Sequence, residues 1–383
     1  MLGNSFGRFF RITTSGESYS GAFRKELGIY NELFGGLVVI VDGVPPGIKI
    51  TSEIIEKELD KRRPGQSKLD TPRSETDKAY VLSGVMENQL TTGAPVAIYI
   101  PNRDITDAQL EKHRSFKSTV RPGQAAFTYN AKYGEYADWA GAGRASGRET
   151  AARVAGGAVA KAILEPMGIE VIAYAAESHG IKAKQLTFEE AKANYRKNEI
   201  NCPDLDAGKL MIEDLLKVKS TGDTCGGVIE IVAKGVPAGL GEPVFDKLEA
   251  LLAHGLMSIG AVKGVEFGEG FGLTKMTGSE SNDLPFIDEV SGKIKYSSNR
   301  AGGMLGGISN GEEIRIRVAV KPTPTIAKTQ KTVDIDKMEN IEVKYTTRND
   351  PSIIPRVYPV CEAMVSMVLV DALQMARGFG QKL

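Results

Sequence analysis

The sequence predicts an α+β protein in which helices pack on antiparallel β-sheets, as a single domain over residues 1–383. Three observations carry this prediction. Segments rich in β-branched residues are interleaved irregularly with long helical periods, unlike the regular βαβ succession of a parallel sheet. From Ile314 to Val320, Ile or Val occupies every second position, which is typical of a sheet that is packed on one side. No low-complexity linker divides the chain.

Enrichment in β-branched residues predicts five strands. They are expected at Leu37–Val41, Val96–Ile100, Val228–Val232, Arg315–Val320 and Ile341–Tyr345. A helical period of apolar residues predicts four helices that would cover the sheets. They are expected over Ser52–Arg62, from Ser146 up to Pro166, over Pro243–Ser258 and over Pro359–Arg377. In the second helix Gly156 and Gly157 lie among alanines, so this helix can approach a neighbour closely.

In the stretch 141–166 a glycine-rich loop turns into one of these helices. Ser146, followed three residues later by Glu149, has the spacing of a capping box, in which each side chain bonds the backbone N–H of the other. Arg144 and Arg148 flank this helix start. Free N–H groups, the positive end of the helix dipole and two guanidinium groups together favour an anion site for phosphate or carboxylate. An ordinary core helix with a solvated basic cap fits the same residues.

Charge and hydropathy exclude several classes of function. The 383 residues contain 48 basic and 48 acidic side chains, so no overall field would attract nucleic acid or an anionic membrane. The longest aliphatic runs, such as Leu37–Val41, are far too short to span a bilayer. We therefore expect a cytoplasmic protein with neither nucleic-acid nor membrane partners.

Metal binding is not expected from the sequence. The three cysteines are odd in number and lack CxxC spacing, which argues against a zinc site and a disulfide framework and fits a reducing compartment. His113, His179 and His254 lack the spacing of ligands carried on one helix. Each is interpreted as a surface or helix-face residue.

Basic residues recur in loops that also contain glycine or proline. If folding brings these loops together, they form a pocket for a ligand with several negative charges, because burying such a ligand requires paired charge on the protein. Taken singly, each would be a solvated surface residue. Neither GxGxxG after a strand nor GxxxxGK[ST] is present, so Rossmann and P-loop sites are not indicated. The basic sites are Lys61 with Arg62, Arg63 and Lys68, then Arg121, Arg144 with Arg148, Lys321, and Arg348.

Taken in order, the motifs of the chain resemble those of the chorismate synthase family along nearly the whole length. The matching segments include MLGNSFGRFFRITTSGES, KRRPGQSKLDTPR, RPGQAAFTYNAKYG, GRASGRETAARVAGGAVAK, RAGGMLGGISNGEEI, RVAVKPTPTIAKTQKTVD and RNDP. The resemblance implies a sandwich of antiparallel β-sheets with helices packed outside, and a homotetramer. It also implies reduced FMN bound beside 5-enolpyruvylshikimate 3-phosphate.

The family eliminates phosphate from that substrate to give chorismate, a step of the shikimate pathway of aromatic amino-acid biosynthesis. The chain has no nicotinamide-binding fingerprint. The reductant of the flavin, such as NADPH, is therefore expected to be supplied externally.

The resemblance also implies roles for individual residues. Asp350 matches the family's aspartate near the flavin, which helps to remove the substrate proton. Tyr19, Gln124 and Ser146 stand at further catalytic positions. Substrate contacts are expected from Ser18, Arg62, Lys68, Arg121 and Arg148. Cofactor contacts are expected from Arg144, Ala145, Ser146, Gly260, Ala261, Gly306, Lys321, Pro322, Thr323, Pro324, Thr325 and Arg348.

Three loops depart from the family pattern. The family reads GESHG, RPGHAD and RHDP where this chain reads GESYS, RPGQAA and RNDP, so Tyr19, Gln124 and Asn349 replace histidines. Two of those histidines are the family's acids, one for the leaving phosphate and one for the reduced flavin. Neither glutamine nor a tyrosine with an ordinary pKa of about 10 titrates near neutral pH. An insertion, Arg24–Phe34, follows the first loop, and Ala145 replaces a serine.

Three functions remain open from the sequence. The first is a chorismate synthase with altered proton donors, whose turnover would be reduced but not abolished, since a general acid typically contributes about 10²- to 10⁴-fold. The second is a flavin-dependent lyase that acts on a related enolpyruvyl or cyclohexene phosphate. The third is a catalytically weak relative that binds flavin as a partner or sensor. The retained basic residues fit all three.

Overall fold

The computed structural model describes residues 3–20, 35–63, 65, 69, 77–103, 105–345, 350–378 and 380. Two five-stranded antiparallel sheets, three hairpins and nine α-helices form most of this described part. The predicted α+β class with antiparallel sheets is confirmed. The insertion Arg24–Phe34 and the predicted residues Lys68, Arg348 and Asn349 lie outside the described residues.

The first sheet comes from the N-terminal part of the chain. Its strands are β1 (Ser5–Phe6), β2 (Arg11–Ser15), β3 (Gly36–Asp42), β4 (Tyr80–Val81) and β5 (Val96–Pro101). The strand order is β1-β2-β3-β5-β4, and every neighbouring pair is antiparallel. In β3 the side chains of Leu37, Val39 and Val41 are buried whereas Ile40 is exposed. One face of this sheet therefore belongs to the core.

The second sheet is built from later segments. Its strands are β6 (Glu170–Ser178), β7 (Ile181–Lys182), β8 (Gly227–Lys234), β9 (Val262–Phe267) and β14 (Ile314–Val320). The order is β7-β6-β8-β14-β9, again antiparallel throughout. Ile314, Ile316 and Val318 are buried while Arg315 and Arg317 between them are partly exposed. The predicted alternation is confirmed.

Three hairpins lie outside these sheets. They are β10 (Pro285–Ile287) with β11 (Ile294–Tyr296), β12 (Met304–Leu305) with β13 (Ile308–Ser309), and β15 (Gln330–Asp334) with β16 (Glu339–Val343). The last strand predicted from the sequence, Ile341–Tyr345, overlaps β16 only in part. β16 starts earlier because its register is set by pairing Asp334 with Glu339 across the hairpin.

The helices are given in chain order. They are α1 (Ser52–Asp60), α2 (Asp107–Arg114), α3 (Ala126–Tyr133), α4 (Thr150–Leu164), α5 (Phe188–Asn194), α6 (Leu205–Ser220), α7 (Leu248–Met257), α8 (Gly278–Ser281) and α9 (Ile354–Gly378). Short 3₁₀ helices span Gly134–Tyr136, Gly143–Ala145, Gly147–Glu149, Glu165–Met167 and Gly270–Lys275.

Two predicted helix starts differ from the structure by five residues. α9 begins at Ile354 rather than Pro359, because Pro355 fits a first helical turn, where its missing N–H needs no partner. α7 begins at Leu248 rather than near Pro243. The preceding residues form a turn in which Glu242 N donates to Asp246 O.

The helices α4 and α9 lie between the two sheets. α4 packs on the first sheet, α9 packs on the second, and the two helices pack on each other. A Cβ added to Gly157 would lie only 2.3 Å from Ala363 Cβ, so the small residues of α4 do permit the close approach that the sequence predicted. The family resemblance implied helices outside the sheets. α4 and α9 are instead enclosed, because both are apolar around most of their circumference.

By length and composition alone, α9 is long and apolar enough to cross a membrane, but 94% of its apolar window is buried inside the protein. It also takes part in a buried ion-pair cluster, which consists of Glu58, Lys61, Lys161 and Glu362. The Glu362 carboxylate is fully buried and accepts from Lys61 Nζ at 3.2 Å, from Lys161 and from Ala173 N at 3.0 Å. Glu58 on α1 accepts from both lysines, at 2.8 and 2.6 Å. The cluster therefore ties α9 to α1 and α4.

Candidate active site

A cavity of ≈ 810 Å³ opens beside the starts of α4 and α9. Its volume lies within the range of roughly 300–1,000 Å³ that is typical of small-molecule sites. Segments that are far apart in the sequence form its wall, and four of the five predicted basic sites meet there, while the fifth, Arg348, lies outside the described residues. The predicted site residues that line it are Ser18, Tyr19, Arg62, Arg121, Gln124, Arg144, Ala145, Ser146, Arg148, Gly260, Ala261, Lys321 and Pro324.

The wall of this cavity is strongly basic although the chain as a whole is neutral. Its acidic members are Asp77 and Glu149. Such an excess of positive charge favours a ligand with several negative charges. The basic side chains of the wall are Arg62, Lys78, Arg103, Arg121, Arg144, Arg148, Arg153, Lys321 and Arg356.

Asp77 joins two of the predicted substrate arginines. Its carboxylate accepts from Arg62 Nη1 at 2.8 Å and also from Arg148, and only 4% of the Asp77 side chain is exposed. Burial by itself would raise the pKa of Asp77, but the charges of Arg62 and Arg148 outweigh burial and lower that pKa below its ordinary value. Arg148 Nε also donates to Asn102 Oδ1 at 3.1 Å. Both guanidinium groups are thus fixed before any ligand binds.

The start of α4 differs from the predicted capping box. Ser146 Oγ accepts from Arg148 N at 3.2 Å, and Ser146 precedes a 3₁₀ turn, Gly147–Glu149. The Glu149 carboxylate does not reach back to Ser146. It accepts from Thr14 Oγ1 at 3.1 Å and from Arg153 Nε at 3.0 Å, because the 3₁₀ turn points it toward β2.

Hydroxyl and guanidinium groups surround this turn. The hydroxyl groups of Ser18 and Ser146 are hydrogen-bonded to each other. Arg144 Nη2 donates to Thr14 Oγ1 at 2.7 Å, and Arg144 Nη1 donates to Gly16 O at 3.1 Å. Arg144 is therefore anchored on β2 and the loop that follows it while it lines the cavity.

Arg121 is a wall residue whose positive charge is not balanced by a carboxylate among the described residues. It has no ion-pair partner among the described residues. Burial lowers the pKa of its guanidinium below the ordinary value, although Tyr345 and Tyr19 oppose this shift. Because arginine stays charged in proteins, this partly buried cation is available to an anionic ligand.

Gln124 lies where the RPGQ loop meets the KPTPT loop. Its amide donates to Thr325 Oγ1, and Lys321 Nζ donates to Gly123 O at 2.8 Å. Lys321 N donates to Ala261 O at 2.9 Å, which attaches the 258–261 segment to the same place. The structure thus groups many of the residues that the resemblance assigned to the cofactor.

Tyr19 is hydrogen-bonded to a histidine that the sequence did not single out. His113 Nε2 lies 3.0 Å from Tyr19 Oη, and the two rings meet edge to face with centroids 4.8 Å apart. His113 stands on α2, as expected of a helix-face residue, but it lines the cavity beside Tyr19. The two residues are 94 positions apart, so no local pattern could have paired them.

Asp350 is buried behind the wall. Its carboxylate accepts from Arg356 Nη1 at 2.8 Å, and 7% of the Asp350 side chain is exposed. Arg356 itself lines the cavity and donates to Arg62 O at 3.3 Å. The sequence did not single out Arg356, which lies in the first turns of α9.

Several predicted cofactor residues do not line the cavity. Pro322, Thr323 and Thr325 lie in the loop that carries Lys321, next to residues that do. Gly306 lies in the turn between β12 and β13 and is not one of the residues that line the cavity. Their cofactor contacts stay predictions. In the part of the chain that the structure describes, no group of three or more His, Cys, Asp or Glu side chains is placed to hold a metal ion.

The fold and the basic cavity define a class of protein, an enzyme for a small polyanionic substrate. Comparison with known proteins identifies the family. The chorismate synthase family model matches residues 10–374. A chorismate synthase of Acetivibrio thermocellus is 67% identical over 380 residues, covering 99% of this chain and 96% of the relative. One of Methanosarcina mazei is 48% identical over 371 residues, covering 97% and 96%.

A solved structure gives the same result. A crystal structure of chorismate synthase matches this fold with a TM-score of 0.72 at 30% identity, covering 97% of this chain and 94% of the other. The chain belongs to the chorismate synthase family. The resemblance found in the sequence is confirmed.

Proposed function

We infer that this chain is a lyase that converts 5-enolpyruvylshikimate 3-phosphate to chorismate and phosphate, with reduced FMN bound beside the substrate. The observation that carries the proposal is the basic wall of the cavity in a chain with no net charge. The substrate has two carboxylates and a phosphate, and the flavin adds a second phosphate. Such a pair of ligands needs several guanidinium and ammonium groups.

The substrate is proposed to bind at the start of α4. Arg62 and Arg148 are held by Asp77, so their remaining N–H groups have fixed directions. Arg121 has no ion-pair partner among the described residues and gains one when an anion binds. Ser18 and Ser146 supply hydroxyl groups at the same place. Lys68, which lies outside the described residues, is proposed as a further contact on the basis of the family resemblance.

The residues around Lys321 and the 258–261 segment fit a flavin. Lys321 and Arg144 provide cations for its phosphate. A Cβ added to Gly260 would meet nothing within 4 Å, so the wall is open at this point. The volume of ≈ 810 Å³ lies toward the upper end of the range for small-molecule sites, which leaves room for a cofactor beside the substrate. Reduced FMN, when bound, supplies the electron-rich ring that promotes loss of phosphate.

In the reaction a C–H bond and the C–O bond to phosphate break, and the ring gains a double bond. Asp350, held by Arg356, is proposed to assist removal of the proton. Arg121, Arg148 and the serine hydroxyls stabilise the negative charge that grows on the leaving phosphate. Protonation of that phosphate needs an acid near the start of α4.

The cellular setting is proposed from the cysteines, the family resemblance and one exposed hairpin. The described cysteines are free and buried, which fits the reducing cytoplasm. NADPH or another reductant would reduce the flavin from outside this chain. The β10–β11 hairpin, in which Ile287 and Ile294 are 63% and 62% exposed, offers an apolar surface for contact between subunits, and the homotetramer is proposed from the family resemblance.

The proposal is tested by an anaerobic assay with chemically reduced FMN and the enolpyruvyl phosphate. Chorismate is followed by its absorbance, and phosphate release is measured in the same samples. Equal amounts of both products support the proposal. If substrate and reduced FMN bind but neither product forms, while a related cyclohexene phosphate is turned over, the chain is a lyase of different specificity.

A further inference from the structure

The leaving phosphate needs an acid, and position 19 holds a tyrosine. A tyrosine hydroxyl has an ordinary pKa of about 10, so by itself it gives up a proton slowly near neutral pH. Histidine titrates near neutrality. The structure contains one histidine in the cavity wall, His113, among the residues that it describes there.

His113 is in direct contact with Tyr19. Its Nε2 lies 3.0 Å from Tyr19 Oη, which is hydrogen-bond distance, and the edge-to-face contact of the two rings fixes their relative position. The Tyr19 ring is also packed on Gly141, where an added Cβ would lie 2.6 Å from the ring. Tyr19 is therefore held from two sides.

Tyr19 lines the same cavity as groups that would hold a phosphate, Arg121 among them. The side chains of Tyr19 and Arg121 interact electrostatically. The neighbouring Ser18 is hydrogen-bonded to Ser146 at the start of α4. A phosphate on Arg121 and Ser146 would thus lie on the Tyr19 side of the cavity.

We propose that His113 acts through Tyr19 as the source of the proton that the departing phosphate receives, and this proposal rests on the proposed function. As the C–O bond breaks, its electron pair goes to the phosphate oxygen. The Tyr19 hydroxyl gives its proton to that oxygen and regains one from protonated His113 Nε2. His113 is reprotonated from solvent, and the proton lost from carbon balances the one taken up by phosphate. Tyr19 is the catalytic residue. His113 is a positioning residue that also returns a proton to the Tyr19 hydroxyl.

Kinetics of matched variants test this proposal. His113→Gln can still hydrogen-bond Tyr19 but cannot titrate, and we expect kcat to fall by about 10²-fold, with KM changed less than threefold. In His113→Ala, free imidazole should restore at least a tenth of the parent kcat. His179→Gln is the control, because His179 also has a hydrogen-bond partner, Asp214 at 2.8 Å, but lies outside the cavity wall. Its kcat should match the parent.

Two outcomes overturn the proposal. One is an His113→Gln enzyme that keeps more than half of the parent kcat. The other is a folded His113→Ala enzyme that does not respond to imidazole, since a merely structural histidine would not be replaced by a small molecule in solution. Tyr19→Phe should lose as much as His113→Gln, and the double variant should lose no more than either.

A binding readout separates this proposal from the proposed function. The chain has three histidines, so their NMR signals can be assigned by mutation. Inorganic phosphate should shift the His113 signal in the parent and much less in Tyr19→Phe, while the His179 and His254 signals stay in place. If the parent makes no chorismate but the His113 signal responds in this way, the contact with the anion stands and the proposed function fails. If chorismate forms and the His113 signal ignores phosphate, the His113 proposal fails.

Discussion

Asp77 accepts a hydrogen bond from Arg62 at 2.8 Å, with only 4% and 5% of the two side chains exposed. Because Asp77 also binds Arg148, one carboxylate compensates two cations that the proposed substrate needs. A bound anion would balance the positive charge that remains on the two guanidinium groups. Without a ligand, Asp77 keeps both guanidinium groups in place.

Asp77→Asn should therefore destabilise the free protein more than the liganded one. Removing one partner of a buried pair costs about 3 kcal/mol or more. Urea unfolding should show this loss, and inorganic phosphate should recover more stability in the variant than in the parent. The control is Asp214→Asn, whose partner His179 is 55% exposed, and it should change the unfolding free energy by less than about 1 kcal/mol. Equal effects of the two substitutions would contradict the role of Asp77.

Substitution of Arg121 is expected to weaken ligand binding without lowering stability, in contrast to substitution of Asp77. Since Arg121 has no ion-pair partner among the described residues, Arg121→Met should leave the unfolding free energy unchanged or raised. Affinity for the enolpyruvyl phosphate should fall by about tenfold or more, because a hydrogen bond to a charged group is typically worth about 1.5–3 kcal/mol. Calorimetry and urea unfolding measure the two effects. Arg11→Met, at a half-exposed pair with Asp42, is the control for binding. A variant that loses stability but keeps affinity would show that Arg121 is structural.

Much of this architecture could be predicted from the sequence. The alternation in β14 and the small residues of α4 could be predicted because each is a local sequence pattern along one face of a single strand or helix. The role of the basic loops in the site could be predicted because their motifs are long and occur in the family's order. Their meeting in one cavity followed from the resemblance and not from the residues alone.

The remaining features depend on tertiary contacts. His113 and Tyr19 meet only because α2 packs beside the loop after β2. Arg356 was missed because the sequence placed the start of α9 at Pro359, beyond it. The position of α9 between the sheets depends on partners on all sides, which a single stripe of apolar residues does not reveal.

The contact of Gly157 with Ala363 predicts an effect on stability. Alanine is favoured over glycine in a helix by about 1 kcal/mol, yet the new Cβ would lie 2.3 Å from Ala363 Cβ and force α4 and α9 apart. Overpacking of this kind typically costs about 1–3 kcal/mol. Gly157→Ala should therefore lower the unfolding free energy. Gly278→Ala, whose Cβ would meet nothing within 4 Å, should not. A Gly157→Ala protein as stable as the parent would mean that the helix pair can adjust.

The buried ion-pair cluster predicts the response to acid. Burial opposes ionisation of Glu58, but the charges of Lys161 and Lys61 outweigh it and lower the pKa of Glu58 to about 2. A carboxylate whose pKa is lower in the folded than in the unfolded protein stabilises the fold at pH values above its unfolded-state pKa. This stabilisation is lost as the pH falls toward 2. The loss amounts to about 3 kcal/mol. The unfolding free energy can be measured with urea between pH 5 and pH 2, a range taken from these pKa values. Over this range it should fall less steeply in Glu58→Gln than in the parent. Glu111→Gln, with a 69% exposed side chain, should keep the parent slope.

Among the described residues, Gln124 has no histidine partner of the kind that Tyr19 has in His113. Gln124 is held by Thr325 at the side of the cavity proposed for the flavin, and glutamine cannot donate a proton near neutral pH. The family resemblance implies that a histidine at this position would protonate the reduced flavin. Gln124→His should therefore raise kcat by about tenfold or more, at the low end of what a positioned acid contributes. Gln124→Asn is the matched control, because it keeps an amide and should not gain activity. Both are measured anaerobically with saturating reduced FMN and substrate. If Gln124→His binds both ligands and turns over no faster than the parent, proton delivery at position 124 does not limit this enzyme.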